Sequence, residues 1–150
     1  MAAVTYPNEK VINFITAKMI PVQVSFDAQP IAADFTVKWT PTVITLDSTG
    51  KEHHRTVGFL APEEFIPSLL LGMAKVHFDG DQFENALETL NNLLTEYPES
   101  DSAPEAIYLR GVCLYKSTHD AKPLKEAYET LNARDPKGEW TKRAYPYRLL

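Results

Sequence analysis

The hydrophobic pattern changes period part-way along the chain, and this excludes a single uniform architecture. Ile20, Val22, Val24 and Phe26 alternate with Pro21, Gln23 and Ser25. That period of two predicts a strand with one buried face, ended by Asp27. Val43-Ile44-Thr45-Leu46 is an apolar, β-branched run and predicts a second strand over 42–47. Asp47-Ser48-Thr49-Gly50 reads as a hairpin turn in which Gly50 can take positive φ. His53 to Val57 then returns as a polar edge strand, closed by Gly58.

Helical spacing takes over in the second half. A helix is predicted from Ala61-Pro62-Glu63-Glu64, with Phe65, Leu69, Met73 and Val76 on its buried stripe and a bend or break near Pro67. Asp81-x-x-Glu84 and Ser102-x-x-Glu105 have the pattern of capping boxes, and Asp120 can cap a third helix. The stripes that follow are Phe83, Ala86, Leu90, Leu93 and Tyr97; Ile107, Gly111 and Leu114; and Leu124, Ala127, Tyr128 and Leu131. A last helical piece is expected over about 138–150, interrupted by Pro146. In the first half, Asn8 can cap a helix carrying Val11, Phe14 and Ile15, and a short helix is expected over about 30–35. The predicted class is therefore α/β followed by all-α.

Composition narrows the function. The chain has 150 residues, 44% hydrophobic and 23% charged, with a net charge of −5. Residues 1–78 carry net −1 and residues 79–150 net −4, so neither half offers the basic face of a nucleic-acid binder. No apolar run reaches the roughly 20 residues of a membrane span. No basic-then-apolar leader is visible, so the expected compartment is the cytoplasm, with export expected only if an upstream segment carries a signal. One cysteine excludes an internal disulfide framework, a CxxC pair and a multi-thiolate zinc site.

Trp39-Thr40-Pro41-Thr42 with the strand after it, Asp47-x-x-Gly50-Lys51-Glu52, Arg55-x-x-Gly58 and Pro62-Glu63-Glu64-Phe65 resemble the C-terminal two-thirds of a thioredoxin-fold domain. The resemblance covers residues 5 to about 77. It implies a cis peptide bond before Pro41 and a backbone segment there that pairs with substrate peptide. It also implies that Thr5-Tyr6 through Ile15 corresponds to the stretch after the second catalytic cysteine. The thiols themselves are missing, and thiol–disulfide exchange needs an attacking thiolate. The domain is thus expected as a truncated, redox-inactive thioredoxin-like sheet over 1–77. In the complete fold a central strand would lie between 20–26 and 42–47. Its absence predicts either direct pairing of those two strands or an open edge through which the protein self-associates.

Residues 68–136 resemble tetratricopeptide-type helical repeats. The first unit carries Leu70, Met73, Ala74 and His77, then Gly80-Asp81-Gln82-Phe83-Glu84-x-Ala86, and ends at Pro98. The second carries Tyr108-Leu109-x-Gly111 and ends at Asp135-Pro136, with Pro123 where a small residue is expected. Two units are fewer than such stacks usually need. The expected layout is therefore a repeat region over 68–150 with a C-terminal capping helix, the first half closing its other end. A helix over about 61–78 would be shared by both parts.

Candidate chemistry is sparse. Cys113 sits among apolar neighbours in a predicted helix and reads as a small buried hydrophobe. His53 and His54 are adjacent on a strand, point to opposite faces and cannot share one metal. His77 and His119 have no ligand-spaced partner. No catalytic residue, cofactor or metal is predicted. Trp39, Thr40 and Pro41 are the candidate peptide-binding residues, docking an extended segment as an added strand. The expected function is a non-catalytic protein-interaction or scaffold module with a protein or peptide partner. The rival expectation is the downstream part of a thiol–disulfide oxidoreductase whose CxxC lies upstream of this chain.

Overall fold

A computed structural model describes residues 1–150. The chain divides into two units, Met1–Ile66 and Pro67–Leu150, and the division falls inside one helix.

The first unit opens with α1 (Glu9–Lys18). Asn8 begins it as expected: its side-chain oxygen accepts from the backbone N–H groups of Lys10 at 3.0 Å and Val11 at 3.3 Å. These are donors that a helix start leaves without internal partners. Val11 is fully buried. Ahead of the helix, the buried Thr5 hydroxyl donates to the Leu60 carbonyl at 2.5 Å, and Tyr6 meets Phe65 edge-on at 5.8 Å. The short α2 (Ile31–Asp34) lies where the sequence predicts it. The hairpin of β1 (Thr42–Leu46) and β2 (Glu52–Val57) is antiparallel, and these two strands are the whole sheet.

The predicted strand over 20–26 does not form. Met19 to Ser25 has no regular structure, and Phe26 and Asp27 enter a turn. No backbone hydrogen bond joins Ile20 through Val24 to any other part of the chain. Ile20 is 92% exposed and Val22 78%. Alternation reports that side chains take turns facing two ways. A ladder also requires a neighbour whose backbone groups bond to it, and this segment bonds to none.

The hairpin turn rests on one carboxylate. Asp47 accepts hydrogen bonds from the backbone N–H groups of Thr49 at 2.8 Å and Lys51 at 3.0 Å, and from the Thr49 hydroxyl at 2.7 Å. Its other oxygen meets His53 Nε2 at 2.9 Å, and Gly50 takes φ +86°. Along β2, Arg55 holds Glu52 with two hydrogen bonds at 2.7 and 2.6 Å and donates to the Phe35 carbonyl at 2.6 Å. This ties the end of the α2 turn to the strand. Two peptide bonds are cis, Gln29–Pro30 and Thr40–Pro41, the second at the position the thioredoxin resemblance implies.

α3 (Pro62–Asp79) runs through Pro67, so the expected break near residues 63–67 does not occur: the proline lies within the helix's first two turns, where few backbone bonds are lost. The second unit then contains α4 (Phe83–Glu96), α5 (Ala103–Thr118), α6 (Lys122–Arg134), α7 (Glu139–Ala144) and a 3-10 turn, Tyr145–Leu149. The predicted stripes supply its core: Ala86, Leu90 and Leu93 are fully buried, and Leu124, Ala127 and Leu131 nearly so.

The helix starts differ from their predicted patterns. Asp81 adopts a left-handed φ of +56° and closes α3 instead of capping α4. The Gln82 N–H returns to the His77 carbonyl at 2.9 Å and the Asp81 N–H to Phe78 at 3.1 Å, the double bond pattern of a Schellman end. Ser102 has helical dihedrals and makes no side-chain cap. Asp120 stands one residue ahead of the cap position, which Ala121 fills, and accepts from the Lys122 N–H at 2.9 Å.

Hydrogen bonds, first from His53 and then from Thr49, hold the Asp47 carboxyl well below the usual carboxylate range. A folded-state pKa below the unfolded value of about 4 stabilises the folded chain above that pH, and the contribution is lost as pH falls through the folded value. Unfolding stability measured by denaturant titration should therefore fall between about pH 5 and pH 2, and Asp47→Asn should flatten that fall.

Candidate functional site

Within the second unit, α5 packs against both α4 and α6. The approach of α5 to α6 is set by Gly111. A Cβ placed there would meet the Ala127 Cβ at 2.8 Å, closer than real Cβ atoms come, and the Pro123 carbonyl oxygen at a tight 3.0 Å. The close crossing therefore depends on a residue with no side chain on α5 facing a small one on α6. Lys75 on α3 and Glu105 on α5 form an ion pair at 2.5 Å.

A groove of about 530 Å³ lies over this crossing. Ile107, Gly111 and Leu114 of α5 contribute to it, with Leu94 from α4, Pro98 from the loop after it and Ala127 from α6. Charged and polar groups share the lining: Arg110, Arg134, Glu126, Glu129 and Thr130. Arg110 is oriented by a 2.7 Å hydrogen bond from its Nε to Asn91. Arg134 donates to the Pro98 carbonyl at 2.5 Å and reaches Glu99 at 3.4 Å, anchoring the end of α6 to the α4–α5 loop. An apolar floor with charges of both signs beside it suits a peptide segment that presents apolar side chains and a few charges.

The sequence-predicted residues Trp39, Thr40 and Pro41 lie in the first unit. Trp39 is 74% exposed, and Thr40 is also exposed. The Trp39 carbonyl accepts the Thr42 hydroxyl at 2.6 Å, and the Pro41 carbonyl accepts the Gly58 N–H at 2.8 Å. Two of the acceptors an added peptide would use are thus already engaged.

Cys113 is fully buried in α5, and burial pushes its thiol up to about 11. A thiol in that state is un-ionised at neutral pH and a poor nucleophile. The His53 side chain is 3% exposed and committed to Asp47, while His77 Nδ1 meets Gln82 at 2.8 Å. Tyr108 packs on Trp140 at 5.2 Å, and its hydroxyl lies 3.1 Å from that of Tyr147. Burial, reinforced by that hydrogen bond, pushes the Tyr147 phenol up to about 12.

From sequence, Ile107, Gly111, Leu114 and Ala127 were read as members of packed stripes, and the charged residues beside them were not singled out. Arg110, Gly111 and Leu114 on α5, and Glu126, Ala127 and Thr130 on α6, sit at helical spacing, and that spacing is the signal. It marks a shared face, but only the crossing at Gly111 brings the two faces together.

The tetratricopeptide repeat family model matches residues 68–100, well under half of the chain. The match takes in α3 from Ser68, the Schellman turn, α4 and the loop after it. No curated protein matches the chain, and no solved structure does. The repeat expected from sequence at 68–98 is thus found, and the second helical hairpin, α5–α6, follows it.

Gly111→Ala should lower stability by about 1–2 kcal/mol, because overpacking costs about 1–3 kcal/mol and outweighs the helix propensity that alanine gains. A lower denaturation midpoint with an unchanged slope checks this. Cys113 should react with an aromatic disulfide reagent at least about 100-fold more slowly in the native chain than in denaturant, as followed by absorbance.

Proposed function

We propose that the chain is a non-catalytic protein-interaction module whose helical repeats hold a peptide segment of a protein partner. The observation that carries this reading is the groove over the α5–α6 crossing, with its apolar floor and its charged rim. The repeat match over 68–100 supports it, because stacked helical hairpins present continuous surfaces for binding. Absence of thiol chemistry is part of the proposal and is supported by the single, buried, un-ionised Cys113. In this reading the first unit is a thioredoxin-like remnant in which Trp39, Thr40 and Pro41 add a secondary peptide contact. The proposed compartment is the cytoplasm.

Selection of a displayed random-peptide library on the full chain tests the principal site. Enriched peptides should lose at least about tenfold in affinity on Arg110→Glu or Glu129→Arg, with unchanged circular dichroism. Both positions are exposed, so charge reversal there leaves the core intact. Enriched peptides insensitive to both changes would displace the site from the groove. In an insulin-reduction assay the chain should give no turnover, and turnover would overturn the non-catalytic reading.

A further inference from the structure

The first unit holds two surfaces that are complementary to each other but not joined. One is the outer edge of β1. The Gly58 N–H donates to the Pro41 carbonyl, which places Pro41, Val43 and Thr45 on the side facing β2. The backbone groups of Thr42, Ile44 and Leu46 therefore face outward, and no strand pairs with them. The other surface is Ile20 to Ser25, whose strand pattern is unused. Backbone groups of alternate residues face the same side of an extended chain. Ile20, Val22 and Val24 form one such set, with every N–H present. Pro21 falls in the opposite set and weakens that side alone.

Neither Ile20–Phe26 nor Thr42–Leu46 contains a charged residue. Natural sheet edges are usually protected by a lysine, an inward charge or a covering element. Here Ile20, Val22, Val24 and Phe26 are 92, 78, 41 and 53% exposed.

We propose that two copies of this chain form a symmetric dimer by exchanging strands. Residues 20–25 of each copy add to the β1 edge of the other, the even-numbered backbone groups bonding to those of Thr42, Ile44 and Leu46. The same chain carries both halves of the contact, so the exchange is reciprocal, closes on itself and pairs the β1 edge of each copy. Ile20, Val22 and Val24 of each copy, with Phe26 adjoining them, would leave water on pairing, which favours association. The dimer is independent of the peptide groove and of any partner bound there.

Light scattering and sedimentation of the full chain test this. The expected mass is twice 16.9 kDa at micromolar concentration. Val22→Lys adds a charge at an exposed position, and Val22→Pro deletes one ladder donor while keeping an apolar side chain. Each should weaken dimerisation at least about 100-fold while leaving circular dichroism and thermal cooperativity unchanged. A synthetic peptide of residues 19–27 should dissociate the wild-type dimer. Hydrogen exchange at Val22 and Val24 should slow as concentration rises. A chain that stays monomeric at about 100 μM, an open-ended polymer, or a dimer untouched by both variants and by the peptide would each overturn the proposal. The monomeric outcome would assign the β1 edge to a strand from another protein.

Discussion

Every backbone amide removed from water needs a partner, and helices and strands differ in where they find one. A helix finds it four residues away in its own sequence. A strand depends on another stretch of chain lying alongside. This difference separates the two units. From Pro67 onward, every element after the loop residues is helical and satisfies its own amides. In residues 1–66 one hairpin is complete, and a third stretch with strand character stays unpaired. The apolar side chains of that stretch remain in water.

The same difference governs what could be read from sequence. The stripes Phe83-Ala86-Leu90-Leu93-Tyr97 and Leu124-Ala127-Tyr128-Leu131 were legible because their burial follows from local spacing: six members are buried, and the aromatics Phe83, Tyr97 and Tyr128 are half-buried at their margins. The turn at Asp47–Gly50 was legible for the same reason, since its hydrogen bonds close within five residues. Ile20 to Phe26 was misread because a period of two describes one strand and says nothing of its neighbour. Asp81 was misread because one aspartate can begin a helix or end one. Gly80-Asp81 serves the end of α3, and the Gln82 to His77 bond is visible only once the turn is built.

The groove was illegible for a further reason. Its charges lie on two helices, and their assembly depends on how closely α5 can approach α6. Gly111 and Ala127 permit that approach, yet in sequence each passes as an ordinary member of an apolar stripe. Trp39-Thr40-Pro41, by contrast, was conspicuous in sequence, but its carbonyls are engaged by Thr42 and Gly58 in the hairpin.

The aromatic seat formed by Tyr108, Trp140 and Tyr147 bears on how such an array could lengthen during evolution. α7 and the 3-10 turn lie against α6, on the flank where an additional helical pair would stack. While that aromatic seat holds, the face of α6 taken by α7 and the turn is closed to any further helical pair.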